Sequence, residues 1–147
     1  MSAENKSLAR RAMEELWTRG DLTVIDQLYS DDCVFHDLGS PEDIHGRDGL
    51  KQYARMYRTA CPDLQCTVEE IMAEGDKVAL RWVSRGTHQG DLMGIAPTGK
   101  QVTFRGIQMQ RISEGKIEEE WAGFNTLGAL QEIGAVPRWG QPAAAGR

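Results

Sequence analysis

The chain has 147 residues, enough for one domain that buries roughly two-thirds of the surface its unfolded form exposes. A net charge of -5 without a Lys/Arg cluster excludes a binder of phosphate backbones, so nucleic acid is not an expected partner. No apolar run reaches the roughly 18 residues a bilayer span needs, and residues 1–20 hold no signal-peptide core, so the expectation is a cytoplasmic protein with no membrane partner.

From Lys6 to Arg19, Leu8, Ala12, Met13, Leu16 and Trp17 form the stripe of an amphipathic helix that Gly20 ends. Asp21 caps a shorter second helix carrying Leu22, Ile25, Leu28 and Tyr29, and a strand from Cys33 to Asp37 follows. Residues 38–46 read as a loop. Leu50, Tyr53, Ala54 and Tyr57 then mark a third helix, which Pro62 shuts off.

Beyond it, Leu64, Cys66 and Val68 alternate with polar residues as a half-buried strand. Val78, Leu80, Trp82 and Ser84 share one face of the next strand. Further strands run from Gln101 to Ile112 and from Ile117 to Asn125, joined by a turn at residues 113–116. Leu127, Leu130 and Ile133 give a closing helix that Gly134 terminates. The tail, 137–147, is rich in Gly, Ala and Pro and is expected to be loosely ordered, leaving an ordered core of about 5–135 in a single domain spanning 1–147.

Helices gathered early and strands gathered late define an α+β fold. It is expected to be a cone, with a strongly curved, mostly antiparallel sheet and helices packed on its concave face. A tight hairpin at 113–116 puts Ile107 opposite Trp121 and Arg105 opposite Gly123. Arg105, Ile107, Met109, Arg111, Glu119, Trp121, Gly123 and Asn125 then share one face; Phe104, Gln108, Gln110, Glu120, Ala122 and Phe124 share the other. Neither face is cleanly apolar. The first is taken as the cavity wall, because Arg and Glu beside Trp suit a pocket with a few convergent polar groups.

The segment GTHQGDLMGIAPTGKQVTFRGIQMQRISEGKIEEEWAGFNTLGALQEIG resembles the C-terminal half of the SnoaL-like polyketide cyclases, of the nuclear transport factor two-like superfamily. A weaker upstream match includes ValPheHisAsp at 34–37, GlyArgAspGly at 46–49 and CysProAspLeu at 61–64. The resemblance implies a cavity for a small aromatic substrate, aldol-type cyclisation by an aspartate acting as acid and base, no metal or organic cofactor, and a homodimer or homotetramer formed through the outer sheet face. Phe104, Ala122 and Phe124 would supply the apolar contacts there. Many relatives carry that aspartate before the last helix, where this chain has Asn125, and an amide cannot exchange a proton near neutral pH.

Four residues are candidates for the chemistry. Glu119, if it points inward beside Trp121, supplies a carboxyl of raised pKa; a surface or Arg111-paired glutamate is the alternative. Arg105 is a fixed positive charge for an enolate oxygen or a solvated strand arginine. Asn125 orients a substrate oxygen. His36, at the end of the first strand, shuttles a proton at the cavity mouth or is a hydrogen-bonded structural histidine. Trp82, His88, Trp121 and Met109 are candidates for substrate contact, although Trp and Met are core residues by default. No two histidines have metal-ligand spacing, and Cys33, Cys61 and Cys66 read as reduced thiols.

Three functions are expected, the first two as what the resemblance implies. The leading one is a cofactor-independent tailoring enzyme acting on a polycyclic aromatic polyketide in antibiotic biosynthesis. The second is a hydroxylation component working on an anthracycline-type ring with a partner reductase. The third is a non-catalytic module for a hydrophobic ligand, favoured if Glu119, Arg105 and His36 lie on the outer face.

Overall fold

A computed structural model describes residues 2–138, so the expected loose tail lies outside the described residues from position 139 onward. The elements follow the order α1 (Ser2–Met13), α2 (Thr23–Leu28), β1 (Tyr29–Asp37), β2 (Ile44–His45), α3 (Gly46–Ala60), β3 (Gln65–Glu74), β4 (Lys77–Thr87), β5 (Gln101–Ser113), β6 (Lys116–Phe124) and α4 (Thr126–Glu132). Glu14–Thr18 extends α1 by a π-helical turn. Among the described residues no helix is long and apolar enough to cross a membrane.

The six strands form one curved, unclosed sheet in the order β2-β1-β6-β5-β4-β3. Neighbours are antiparallel except β1 and β6, which run parallel with His36 beside Trp121. That pairing joins the first strand to the last, so residues 91 positions apart, such as Tyr29 and Glu120, meet in one network. Residues 44–45, read from sequence as loop, make the short edge strand β2 against Val34 and Phe35.

The β5–β6 hairpin turns through Glu114 and Gly115, both at positive φ, so Ser113 pairs with Lys116 across a two-residue loop. A bulge between Arg111 and Ile112 adds one more step, and Met109, not Ile107, lies opposite Trp121. The expected register was therefore two residues out. A shift of two preserves the faces, so both sets of side chains stand as grouped.

Their orientation is the reverse of the expectation. Phe104, Gln108, Gln110, Glu120 and Ala122 are buried in the core, whereas Ile107 is 65% exposed and Met109 42%. The polar members of the inner set hydrogen-bond to one another, which lets them sit inside while spoiling the alternation that would have marked the face. Phe104, Phe124 and Ala122 consequently serve the cavity and are not available to an outer contact.

α1 and α3 cover the concave face. Leu16, Ile25, Leu50, Val78 and Ile117 are almost wholly buried between the layers, and burial of each such side chain contributes about 1.5–3 kcal/mol.

Candidate functional site

The concave face closes on an inner chamber lined by Met13, Trp17, Phe35, Tyr53, Tyr57, Leu64, Trp82, Ser84, Phe104, Gln108, Ala122 and Phe124. Tyr57 stands at its centre, edge-on to Phe104 with ring centroids 5.6 Å apart and to Tyr53 at 5.2 Å. Gly106 makes room for Trp82, its partner across β4 and β5: a Cβ there would lie 2.6 Å from Trp82 Cζ2 and 2.8 Å from the Gly123 carbonyl oxygen. The chamber is narrow, with a cavity volume of about 40 Å³; a vestibule sharing Tyr53 and Tyr57 has about 380 Å³. Asp37, Met56, Met93 and the loop residues 39–43 are among those that line the vestibule.

Asp37 is the carboxylate of this site. As the last residue of β1 it points inward, next to outward-facing His36, and its Oδ1 accepts a hydrogen bond from the Gly39 amide at 2.8 Å. Its Oδ2 accepts from the Tyr53 hydroxyl at 2.8 Å. One helical turn on, Tyr57 packs edge-on against the Tyr53 ring and feels the charge of Asp37. Burial first, then neighbouring negative charge, pushes Tyr53 far up and Tyr57 to about 12, so both keep their hydroxyl protons at neutral pH.

Behind the chamber floor Glu120 is fully enclosed. Its Oε1 accepts from the Tyr29 hydroxyl at 2.9 Å, and its Oε2 accepts from Gln108 Nε2 at 2.5 Å and from Gln110 Nε2. Burial raises its pKa, opposed by those hydrogen bonds. The buried indole N–H of Trp82 has no hydrogen-bond partner among the described residues.

Of the residues singled out from sequence, Trp82 lines the chamber. Glu119, Arg105, Met109, Trp121 and His36 lie on the convex face, because the face assignment was inverted. There His36 stacks on Trp121 with centroids 5.4 Å apart, and its Nδ1 and Nε2 lie 2.8 Å and 2.7 Å from the carboxylates of Asp43 and Glu119. Glu119 also meets Arg111, and the His36 hydrogen bond holds its carboxyl below the usual range. Asn125 is spent on the backbone: its Oδ1 accepts from the Arg105 amide at 2.6 Å and its Nδ2 donates to the Thr103 carbonyl at 3.0 Å, tying the start of α4 to β5.

His88 does not line the chamber or the vestibule. It is completely buried, and its Nδ1 accepts from the Thr98 amide at 3.2 Å, pinning both ends of the 88–100 loop. The surrounding motif is structural too. Gly90 passes so close to α3 that a Cβ would lie 2.2 Å from the Thr59 carbonyl oxygen, and Asp63 accepts from the Thr87 amide at 2.7 Å. Sequence reasoning missed Asp37, Tyr53, Tyr57, Gln108 and Glu120 as site residues. Tyr53 and Tyr57, four apart on one helix face, together with the inward parity of Phe35 and Asp37, were the signals available.

The fold is thus an α+β cone enclosing an aromatic chamber, with a carboxylate on the adjoining vestibule. Residues 7–133 match the SnoaL-like polyketide cyclase family, and the chain belongs to it. It is 35% identical to AclR, a proposed hydroxylase from Streptomyces galilaeus, covering 92% of this chain and 84% of that one with a TM-score of 0.81. IdmH, a proposed polyketide cyclase from Streptomyces antibioticus, is 28% identical over 88% of this chain and 98% of its own, with a TM-score of 0.76. A proposed SnoaL-like cyclase from Jannaschia sp. CCS1 shares the fold at 20% identity, covering 92% and 95% of the two chains, with a TM-score of 0.85. No curated relative matches this chain.

Proposed function

We propose that the protein is a tailoring enzyme that holds a flat aromatic polyketide with one edge in the chamber and performs acid–base chemistry on the part in the vestibule. The observation that carries this reading is the series Asp37, Tyr53, Tyr57: a hydrogen bond ties the vestibule carboxylate to Tyr53, and the Tyr53 ring packs on Tyr57, which lines vestibule and aromatic chamber alike. Without Asp37, the outward placement of Glu119, Arg105 and His36 would describe a ligand carrier.

In an intramolecular aldol closure, Asp37 removes a proton from the carbon between two carbonyl groups. Tyr57, held protonated, donates a hydrogen bond to the enolate oxygen that forms. The enolate carbon attacks a second carbonyl of the same molecule, and the alkoxide takes the proton back from Asp37. No net oxidation occurs. The test is incubation under argon with an aromatic β-keto ester: ring closure at unchanged mass, or with loss of water, supports the reading.

A second reading is favoured by the likeness to AclR and by the lack of a carboxylate among the residues lining the inner chamber. It is a hydroxylation component that positions an aromatic ring for oxygen, with reducing equivalents from a partner reductase. A product heavier by one oxygen atom, formed only with oxygen and a reductant, would replace the first reading.

A further inference from the structure

The chamber wall contains one amide whose two ends offer opposite chemistry. Gln108 projects from β5 into the chamber lining, diagonal to Trp82 on β4. A free glutamine side chain presents either its carbonyl oxygen or its NH2 group to a ligand, and rotation by half a turn exchanges them. Here the choice is constrained from behind. Glu120 receives three hydrogen bonds, from Tyr29, Gln108 and Gln110, and the three donors converge on its two oxygens. Gln108 commits its Nε2 to that carboxyl, so the end left for the chamber is Oε1.

We infer that Glu120 is a positioning residue: it locks Gln108 with its carbonyl oxygen toward the chamber, and the site thereby selects a ligand that inserts a hydroxyl group, phenolic or enolic, at that edge. This rests on the proposed binding of a flat aromatic in the chamber. The surroundings make the selection strong. The side chains flanking Gln108 on the sheet, Leu80 and Ala122 across the neighbouring strands and Trp82 and Phe124 diagonal to it, offer a ligand hydroxyl no acceptor, and the hydroxyls of the lining, Ser84, Tyr53 and Tyr57, belong to other positions of the wall. An inserted ether or bare C–H would leave Oε1 desolvated and unpaired. Trp82, diagonal to Gln108 in the same lining, adds a buried indole N–H that has no acceptor among the described residues.

The test uses 2-naphthol and its methyl ether, 2-methoxynaphthalene, titrated calorimetrically into the full chain. The naphthol is expected to bind about tenfold more tightly, as one hydrogen bond to a buried acceptor predicts. Gln108→Leu is expected to bring the ratio of the two affinities to about one. Glu120→Met is expected to do the same with Gln108 still present, an effect on the ratio that a merely structural role would not produce.

Should Glu120→Met fail to fold, side-chain amide NMR of the wild-type protein decides. The Gln108 NH2 protons should be protected from exchange and stay in place when naphthol binds. Equal affinities in the wild type, a preference that survives Gln108→Leu, or freely exchanging Gln108 protons would each overturn the inference and leave the aromatic chamber standing. Binding of neither probe would overturn the chamber reading, and this inference with it.

Discussion

The two faces of β5 and β6 are made from similar residue types and use them in opposite ways. On the convex face Met72, Ala79, Met109, Trp121 and His36 form one row across five strands, flanked by Arg111 and Glu119 in ion pairs that water screens. On the concave face Gln108, Gln110 and Glu120 stand out of water, and each hydrogen bond they make is one that solvent cannot replace. Glutamates one residue apart, Glu119 and Glu120, therefore carry quite different weight. Accessibility decides the role of a charged side chain on this sheet more than its chemical type does.

The largest effect expected from that contrast is on stability. Glu120→Leu removes the acceptor of three buried donors and should lower the unfolding free energy by about 3 kcal/mol or more. Glu119→Leu, one position along the strand, should leave the chemical-denaturation midpoint nearly unchanged. Comparable losses in the two variants would show that the inner network contributes no more than the outer ion pairs, and the contrast would fall.

The same contrast can be put to activity. Asp37→Asn keeps the hydrogen bond from Tyr53 but removes the base, and turnover should fall about 100-fold or more. Glu119→Gln should leave turnover within about twofold. Equal losses would return Glu119 to the chemistry. A smaller effect is expected from Trp82→Phe, which keeps the ring and deletes the unpartnered N–H. Affinity for a carbonyl-bearing aromatic ligand should drop by about threefold to tenfold, the value of one neutral hydrogen bond. An unchanged affinity would mean that the indole nitrogen meets no ligand atom.

Much of the frame was legible because it is set by local chemistry. Gly20 and Pro62 punctuate helices, the alternation of Val78, Leu80, Trp82 and Ser84 marks a strand, and the SerGluGlyLys turn marks a hairpin. The inner and outer sets of β5 and β6 could also be grouped from their parity. Which set faced inward was not legible. Gln108, Gln110 and Glu120 look like surface residues until they are paired with Tyr29, and Tyr29 reaches Glu120 only through the parallel β1–β6 pairing, which no local pattern announces. Asp37 was hidden for a similar reason, since its partner Tyr53 lies across the β2 edge and on another element. The motif around His88 was noticed as distinctive and read as a candidate entrance. It is distinctive because glycines at 86 and 90 let that segment pass against Cys61 and Thr59.

The smallest expected effect belongs to the outer face and depends on pH. Both nitrogens of His36 lie against carboxylates, and only the imidazolium can donate to both, so the hydrogen bond to Glu119 raises the His36 pKa above its ordinary 6.5. A group raised in this way stabilises the folded state fully below about 6.5, and that stabilisation is lost as pH rises through the folded value. Glu119 runs the other way. Held below 4.5 by His36 and then Arg111, it contributes above that range and loses its contribution as pH falls through the lowered value. The bridge from β6 through His36 to Asp43 is therefore complete only between the two, and Asp43 belongs to the loop that walls the vestibule. Raising the pH from about 6 to about 9 should speed amide exchange in residues 38–43 while the inner network around Glu120 stays protected. The stability gap between the wild type and His36→Gln should stay under about 1 kcal/mol and close over the same interval. Exchange in that loop that is no more sensitive to pH in the wild type than in His36→Gln would show that the two carboxylates do not hold the imidazolium, and that the vestibule wall is fixed by the chain alone.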